Sequence, residues 1–206
     1  MRTIAAMAEP LLLLDYLGVA VFACTGALVA ARKRQDFIAF IAFSIFTGVG
    51  GGTLRDLLMG VPVFWVHSSG YLMVCLASAA AIWLLGERLW RSSALIWLDA
   101  VGLSVYAVIG AWKALNLGIP PAVAVVMGTI TATFGGLLRD LFSGTPSVLL
   151  QRELYITAAI AAAAVFVALR AISNVTLVCG ALAFLAGFVL RAGAITRHWT
   201  LPGFRG

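Results

Sequence analysis

The fold of this 206-residue chain is decided by GGTLRDLLMGVP at residues 51–62, which recurs as GGLLRDLFSGTP at residues 135–146. The second copy follows the first at an offset of 84 residues. The same offset, without a gap, aligns LDYLGVAVFACTGALVA (14–30) with LDAVGLSVYAVIGAWKA (98–114). Because separate matches share one constant spacing, they indicate an internal duplication of the chain.

The composition of the chain is typical of an integral membrane protein. Hydrophobic residues make up 63% of it, charged residues 11%, and its mean hydropathy is +1.06. Soluble domains contain only about 45–50% apolar residues. A transmembrane helix needs about 20 mainly apolar residues, and such segments recur along nearly the whole chain. We predict seven spans, at approximately 11–31, 37–59, 69–86, 95–115, 120–142, 154–171 and 175–191.

Each copy of the repeat contains three predicted spans, and this odd number has a geometric consequence. The second copy must enter the membrane from the opposite side, so the copies are related by a pseudo-twofold axis in the membrane plane. We predict an all-α integral membrane protein with an inverted three-plus-three repeat and one additional C-terminal helix. A single membrane domain covers 1–206, with repeat one at about 11–92, repeat two at about 95–174, the seventh helix at about 175–191 and a short cytoplasmic tail at 192–206.

Basic residues are distributed unevenly between the two sides of the predicted membrane domain. Because positively charged loops remain in the cytoplasm, their distribution predicts a cytoplasmic C-terminus and an N-terminus outside. The net charge of +6 is explained by this topology and by contact with anionic lipid, not by binding of nucleic acid. The basic residues on the predicted cytoplasmic side are Arg32, Lys33, Arg34, Arg88, Arg91, Arg152, Arg191, Arg197 and Arg205.

Glycines are concentrated at matching places in spans 2 and 5. Glycine is a poor helix former, and backbone groups freed by a break are tolerated in a membrane only against protein or a water-filled cavity. One interpretation is that both helices are kinked here and line an aqueous path, and the other is close helix packing through small residues. Phe134 stands where span 2 has its first glycine, which predicts a milder break in span 5. The glycines are Gly50, Gly51 and Gly52 in span 2, and Gly135 and Gly136 in span 5.

Each copy also places an Arg-Asp pair inside its span, Arg55-Asp56 in the first and Arg139-Asp140 in the second. Charges are costly in hydrocarbon, so they face the protein interior or a water-filled path. Neighbouring residues on a helix are about 100° apart, so the members of a pair need not neutralise each other. Partners across the pseudo-twofold axis, Arg55 with Asp140 and Arg139 with Asp56, are an alternative. Two compatible interpretations remain, an ion-pair network that fastens the repeats and charges that line or gate a permeation path.

Other polar residues near the same spans allow more than one interpretation. Asp15 and Asp99 open the predicted spans 1 and 4, where a helix N-terminus favours an acidic side chain. The alternatives are contact with the two arginines or attraction of cations at a pore mouth. Lys113, at the end of span 4 on the outer side, is interpreted as a snorkelling or surface charge. Hydroxyl side chains form a stripe that could line a polar route, although they also bond back to their own helix. These residues are Ser44, Thr47, Thr129, Thr131 and Thr133.

The sequence carries none of the common motifs of enzymes. It has no P-loop, no H-E-x-x-H motif, no Ser/His/Asp set and no cluster of metal ligands. We therefore predict that the protein is not an enzyme and holds neither a cofactor nor a metal. Movement of a small solute across the membrane, down its gradient or coupled to an ion, is the remaining kind of activity.

The seven spans, with GGGTLRD in span 2 and GGLLRD in span 5, resemble the prokaryotic trimeric intracellular cation (TRIC) channels over nearly the whole chain. The resemblance implies a homotrimer in the cytoplasmic (inner) membrane, in which each protomer contains its own pore. It also implies that the permeant ions are monovalent cations, chiefly potassium or sodium. In the family, spans 2 and 5 kink at the glycine motifs and shape that pore, and the matching charged positions here are Arg55, Asp56, Arg139 and Asp140.

Two further hypotheses compete with a cation channel. Inverted repeats with broken helices are also the plan of many carriers, and bacterial relatives of this kind have been labelled glycine transporters, so a secondary transporter for glycine or another small solute is the main alternative. A lipid-binding structural protein is the third, for which two embedded Arg-Asp pairs would be an unnecessary cost. In a cation pore, an arginine repels the ion unless a carboxylate neutralises it. We therefore expect Arg55 and Arg139 to be paired, and backbone carbonyls and hydroxyls to contact the ion.

Overall fold

The computed structural model describes residues 2–86, 93–147 and 153–200, with side chains described from residue 12 onward. Arg88, Arg91, Arg152 and Arg205 of the predicted basic set therefore lie outside the described residues. Within the described ranges the chain forms seven α-helices joined by short connections. The helices are α1 (Arg2–Arg32), α2 (Phe37–Leu58), α3 (Gly70–Leu85), α4 (Ala94–Asn116), α5 (Pro121–Ser143), α6 (Ile156–Ile172) and α7 (Thr176–Arg197).

The helices follow the predicted spans, with differences at some ends. By length and composition, α2, α4, α5, α7 and residues 12–32 of α1 are long and apolar enough to cross a membrane, whereas α3 and α6 are apolar but shorter. Since α1 begins at Arg2, Asp15 lies well inside a helix, and the prediction that it opens one is wrong. Asp99 lies in the second turn of α4, close to the predicted place.

The end of the repeated motif explains how α2 and α5 stop. Gly60 and Gly144 follow the two helices with φ angles of 66° and 64°, a left-handed conformation that glycine adopts without steric cost. The amide of the next residue donates to the carbonyl of Asp56 in one copy, at 3.0 Å, and of Asp140 in the other, at 3.1 Å. This is the bonding of a Schellman helix end. It places each Arg-Asp pair near the C-terminal end of its helix.

The packing of the helices shows the duplication in three dimensions. Within repeat one, α1, α2 and α3 pack against one another as α4, α5 and α6 do in repeat two, and the repeats meet through α1 with α4 and α2 with α5. The helix α7 packs against α4 and α6. The predicted fold class, seven helices in an inverted three-plus-three repeat with one added helix, is confirmed.

The α2–α5 contact is built from the glycines of the motif. A Cβ atom at Gly51 would collide with the backbone carbonyl oxygen of Thr131, and a Cβ atom at Gly135 would lie 2.5 Å from that of Thr47. These two contacts correspond at the offset of 84 residues, so the pseudo-twofold axis passes through the crossing. Both helices continue through their glycines. Close packing therefore has direct support, and a bend of either axis at these glycines stays a prediction.

Candidate functional site: two polar clusters

The charged residues of the repeated motif lie in two polar clusters at opposite ends of the α2–α5 crossing. Arg55 has no exposed surface and Arg139 is 2% exposed. Because an unpaired buried charge costs several kcal/mol, the partners of these arginines determine what each cluster can do. Cluster one comprises Asp15, Arg55, Asp56, Phe64, Tyr71 and Lys113, and cluster two comprises Thr25, Asp99, Arg139, Asp140 and Tyr155.

In cluster one, Arg55 pairs with its neighbour in the sequence. Its Nε donates to Oδ1 of Asp56 at 2.8 Å, and Nη2 lies 2.7 Å from the same oxygen without hydrogen-bond geometry. The second oxygen of Asp56 accepts the backbone amide of Phe64 at 3.0 Å, which ties the following loop to α2. Nη1 of Arg55 has no hydrogen-bond partner among the described residues. The guanidinium group is therefore neutralised but incompletely bonded.

Asp15 is the other carboxylate of cluster one, and its partners come from both repeats. Its Oδ2 accepts Lys113 Nζ at 2.7 Å and the Tyr71 hydroxyl at 3.1 Å, while its Oδ1 has no partner in the described part of the chain. Lys113 lies on α4 and Asp15 on α1, so this ion pair fastens repeat two to repeat one. The interpretation of Lys113 as a surface charge was wrong. Its side chain is only 23% exposed.

An aromatic ring occupies the centre of cluster one. The ring of Phe64 lies 5.7 Å from the guanidinium carbon of Arg55, 5.0 Å from Lys113 Nζ and 4.6 Å from the ring of Tyr71. Both cations are within cation–π range of its face. A Cβ atom at Gly52 would lie 2.5 Å from the ring, so this glycine makes room for it.

In cluster two, Arg139 is fully engaged. Its Nη1 donates to Oδ1 of Asp99 at 2.7 Å and to the hydroxyl oxygen of Thr25 at 3.2 Å. Its Nε donates to Oδ1 of Asp140 at 3.0 Å, and Nη2 lies 2.9 Å from that oxygen. Because Thr25 belongs to α1, this arginine also connects the two repeats.

Tyr155 completes cluster two without a hydrogen bond. Its buried hydroxyl has no partner among the described residues. A Cβ atom at Gly136 would lie 2.8 Å from this hydroxyl, 3.5 Å from Oδ1 of Asp99 and 3.6 Å from Nη2 of Arg139. The three groups therefore converge on the space that Gly136 leaves. The ring of Tyr155 also faces the guanidinium of Arg191, at 5.1 Å.

Three predictions about charged residues need correction or extension. The alternative pairs across the axis, Arg55–Asp140 and Arg139–Asp56, are not those formed, because the inverted repeat carries corresponding side chains to opposite ends of the molecule. The members of each Arg-Asp pair do neutralise each other, since the long arginine side chain curls back onto its neighbour. Arg191, placed on the predicted cytoplasmic side, is 3% exposed and pairs with Glu153 at 2.7 Å.

The hydroxyl residues lie around the helix crossing and are mostly bonded to backbone carbonyls. Thr129, Thr131 and Thr133 each donate to the residue four positions earlier in α5, at 2.6 to 2.9 Å. Ser44 donates across to the carbonyl of Ala23 at 3.1 Å. The hydroxyl of Thr47 is buried without a partner in the described part of the chain. The pore-lining role of these residues stays a prediction.

Two cavities lie between the helices, away from the charged residues of both clusters. One of about 610 Å³ lies between α1, α4 and α7, and one of about 310 Å³ lies beside Gly50 and Phe134, between α2 and α5. Apolar side chains line both, and no charged member of either cluster does. Within residues 2–86, 93–147 and 153–200, no group of three or more His, Cys, Asp or Glu side chains could hold a metal ion.

Comparison with known proteins agrees with this architecture. A family model described as "Glycine transporter" matches residues 12–87 and again residues 96–171. The UPF0126 inner membrane protein YadS of Escherichia coli (strain K12) is 35% identical over 195 residues, which are 93% of this chain and 94% of that protein.

Two solved structures are similar along nearly their whole length. The TRIC trimeric intracellular cation channel orthologue from Rhodobacter sphaeroides is 46% identical with a TM-score of 0.88, covering 92% of this chain and 98% of that one. A prokaryotic TRIC channel crystallised in 0.5 M KCl is 25% identical with a TM-score of 0.86, covering 94% of this chain and all of that one. These neighbours are channels and not enzymes. The chain is a multi-pass membrane protein that belongs to the prokaryotic TRIC channel family, which the matched family model also describes.

Proposed function

We propose that the protein is a passive channel for monovalent cations, chiefly potassium, with a pore inside each protomer of a homotrimer in the inner membrane. The observation that carries this proposal is the neutralisation of both buried arginines by carboxylates at the two ends of the α2–α5 crossing. A paired arginine does not repel a passing cation as a free one would. Family membership supports the trimer, the membrane and the cation selectivity.

The formal charges of the two clusters also favour cations. Cluster one balances two cationic side chains, Arg55 and Lys113, against two carboxylates. Cluster two sets Arg139 against the carboxylates of Asp99 and Asp140, with Arg32 and Arg191 as neighbouring cations outside the cluster. Two carboxylates therefore lie at this end of the crossing, and carboxylates beside a route attract cations and repel anions.

The proposed route runs past the glycine crossing between the two clusters. The backbone carbonyls of Thr47 and Thr131 and the nearby hydroxyls supply oxygen ligands of the kind that replace water around a potassium ion. At present these carbonyls pack against Gly135 and Gly51. We infer that the described conformation is closed at this level and that conduction requires α2 and α5 to separate slightly.

We propose that the N-terminus lies outside and the C-terminus in the cytoplasm. The exposed basic residues Arg32, Lys33, Arg34 and Arg197 support this orientation, because they lie at the ends of α1 and α7. They are also the described residues available to anionic lipid headgroups. Arg191 is not among them, since it is buried against Glu153.

Planar-bilayer recording of the purified protein tests the channel directly. In a potassium chloride gradient we expect discrete unitary currents that reverse near the potassium equilibrium potential. Replacing Arg139 with Gln removes the cation that pairs with Asp99 and Asp140, so we expect a severalfold larger potassium conductance, because the local field becomes more negative. Arg34→Gln removes an exposed arginine outside both clusters and is the matched control. Reversal at the chloride potential, or equal conductance in both variants, would contradict the proposed route.

A secondary transporter for glycine is the second candidate, and one observation favours it. The two repeats hold their clusters in different bonding states, as the repeats of an inverted carrier do when only one side of the membrane has access. Uptake of labelled glycine into proteoliposomes distinguishes the two functions. Saturable uptake without unitary currents would replace the channel by the carrier.

A further inference from the structure

The two clusters contain the same three side chains at the same offset, but these side chains form different bonds. In each cluster an aspartate, an arginine and a tyrosine come from corresponding helices. The aspartate is bonded to the tyrosine in one cluster and to the arginine in the other. Triad one is Asp15, Arg55 and Tyr71, and triad two is Asp99, Arg139 and Tyr155.

The bond that one triad makes is the bond that the other lacks. In triad one, the Tyr71 hydroxyl donates to Asp15, and Nη1 of Arg55 has no hydrogen-bond partner among the described residues. In triad two, Nη1 of Arg139 donates to Asp99, and the Tyr155 hydroxyl has no such partner. Both unpartnered groups are buried donors, which is an unfavourable condition in a protein interior.

We propose that the triads are the two positions of one switch, in which each aspartate exchanges its tyrosine for its arginine. In the second conformation Asp15 binds Arg55, and Asp99 releases Arg139 and binds Tyr155. The two conformations differ in these bonds. The proposal rests on the proposed function in one respect, because it takes the present conformation as the closed one and the second as the conducting one.

The polar atoms already present make the second conformation accessible. Oδ1 of Asp15 and Nη1 of Arg55 both lack partners within the described ranges, so when the carboxylate turns from Tyr71 towards Arg55 the new bond satisfies both. The hydroxyl of Tyr155 gains the carboxylate of Asp99, which faces the same space at Gly136. Arg139, when released, keeps Asp140 and Thr25 as partners. Neither conformation therefore leaves an arginine without a carboxylate.

Two residues of cluster one hold the present conformation. Lys113 occupies Oδ2 of Asp15, and the residue that corresponds to it in repeat one is Val29, so the matching position beside triad two carries no charge. The ring of Phe64 fills the space against Gly52 and contacts the side of the triad. At the corresponding Gly136 this space is occupied by the Tyr155 hydroxyl. The lysine and the ring are thus the parts that must move when the switch changes.

A matched pair of hydroxyl deletions tests the exchange, because each removes a bond from a different conformation. Tyr71→Phe weakens the present conformation, and Tyr155→Phe weakens the other. We expect the ratio of open to closed times in planar bilayers with symmetrical potassium chloride to shift in opposite directions, by about tenfold each, as for a hydrogen bond to a charged group. Tyr16→Phe removes a hydroxyl that bonds to Ser68 outside the triads and is the control, with no shift expected.

Shifts in the same direction, or no shift in either variant, would overturn the exchange. A second measurement does not depend on conduction. In the crystal structure of the full-length Lys113→Met variant we expect the Arg55 guanidinium to be bonded to Asp15, and in Lys113→Arg we expect the present bonds. If Asp15 and Arg55 remain apart in the methionine variant, the switch is wrong. If that bond forms but the wild-type protein carries no unitary current, the switch stands and the channel function fails.

Discussion

The contacts at the centre of the molecule are the same in both repeats, whereas some of the contacts in the two polar clusters differ between them. At the centre, Gly51 packs on the carbonyl of Thr131 and Gly135 packs on that of Thr47, so both copies make the same contact. In the two polar clusters, the corresponding aspartates form ion pairs with different residues: Asp15 pairs with Lys113, and Asp99 pairs with Arg139. Symmetry is kept where backbone touches backbone and within each Arg-Asp pair, and it is lost at Asp15 and Asp99.

This difference has a physical cause. A carbonyl oxygen against a glycine leaves no space for a second arrangement, because interiors are packed as densely as organic crystals. A buried carboxylate instead has several donors within reach, and their bonds differ little in free energy. Repeat two has Lys113 where repeat one has Val29, and this cation is one source of the difference between the two ends.

The largest loss of stability is expected from a substitution that adds a side chain at the α2–α5 crossing. In Gly51→Ala the new methyl group collides with a backbone carbonyl that cannot rotate away, so we expect a loss of about 3 kcal/mol, at the upper end for an overpacked site. The thermal unfolding midpoint of the purified protein in detergent measures this loss. Gly180→Ala is the control, because its Cβ atom would lie 3.6 Å from Val108, an ordinary contact. Equal unfolding midpoints in the two variants would mean that the crossing can accommodate an additional methyl group.

The sequence was sufficient to predict the architecture because its signals are local or repeated. Apolar segments give the helices, a constant offset gives the duplication, and an odd number of spans gives the inversion. The end of α2 and of α5 is encoded by Gly60 and Gly144. The first predicted span, at about 11–31, matches the apolar part of α1 at Leu12–Arg32, and the helix continues outside that span through residues 2–10, which are less apolar.

The partners within the clusters were beyond prediction from spacing. Asp15 and Lys113 are 98 positions apart, and their contact depends on how α1 packs against α4. Arg55 and Asp56 neutralise each other through side-chain rotation, which the 100° separation on a helix does not determine. A usable signal existed for Lys113. A charge aligned with an apolar residue of the other repeat indicates an asymmetric role.

Replacing Asp99 and Asp15 by asparagine, one at a time, tests how strongly each polar cluster depends on its aspartate. Asp99→Asn weakens the bond to Arg139, which is almost fully buried and keeps only part of its partners, so we expect a loss of about 2 kcal/mol. Asp15→Asn releases Lys113, whose side chain is 23% exposed and can reach solvent or lipid headgroups, so we expect about 1 kcal/mol.

Unfolding midpoints of both asparagine variants in the same detergent give the comparison. Glutamate at either position keeps the charge and separates the electrostatic part of the loss from the steric part. A larger loss in Asp15→Asn than in Asp99→Asn would reverse our ranking of the clusters. It would mean that Lys113 depends on its carboxylate more than Arg139 does.

The smallest effect is expected at the helix that has no counterpart. Arg191 on α7 is 3% exposed and pairs with Glu153, whose side chain is 40% exposed, so solvent screens the glutamate end of the pair, and Glu153→Gln still leaves an amide oxygen for the guanidinium. Glu153→Gln should therefore cost less than about 1 kcal/mol, less than either change at the triads. Its unfolding midpoint should stay close to that of the wild-type protein. Arg191 also faces the ring of Tyr155, so a large loss would join α7 to cluster two and add a second source of asymmetry between the ends.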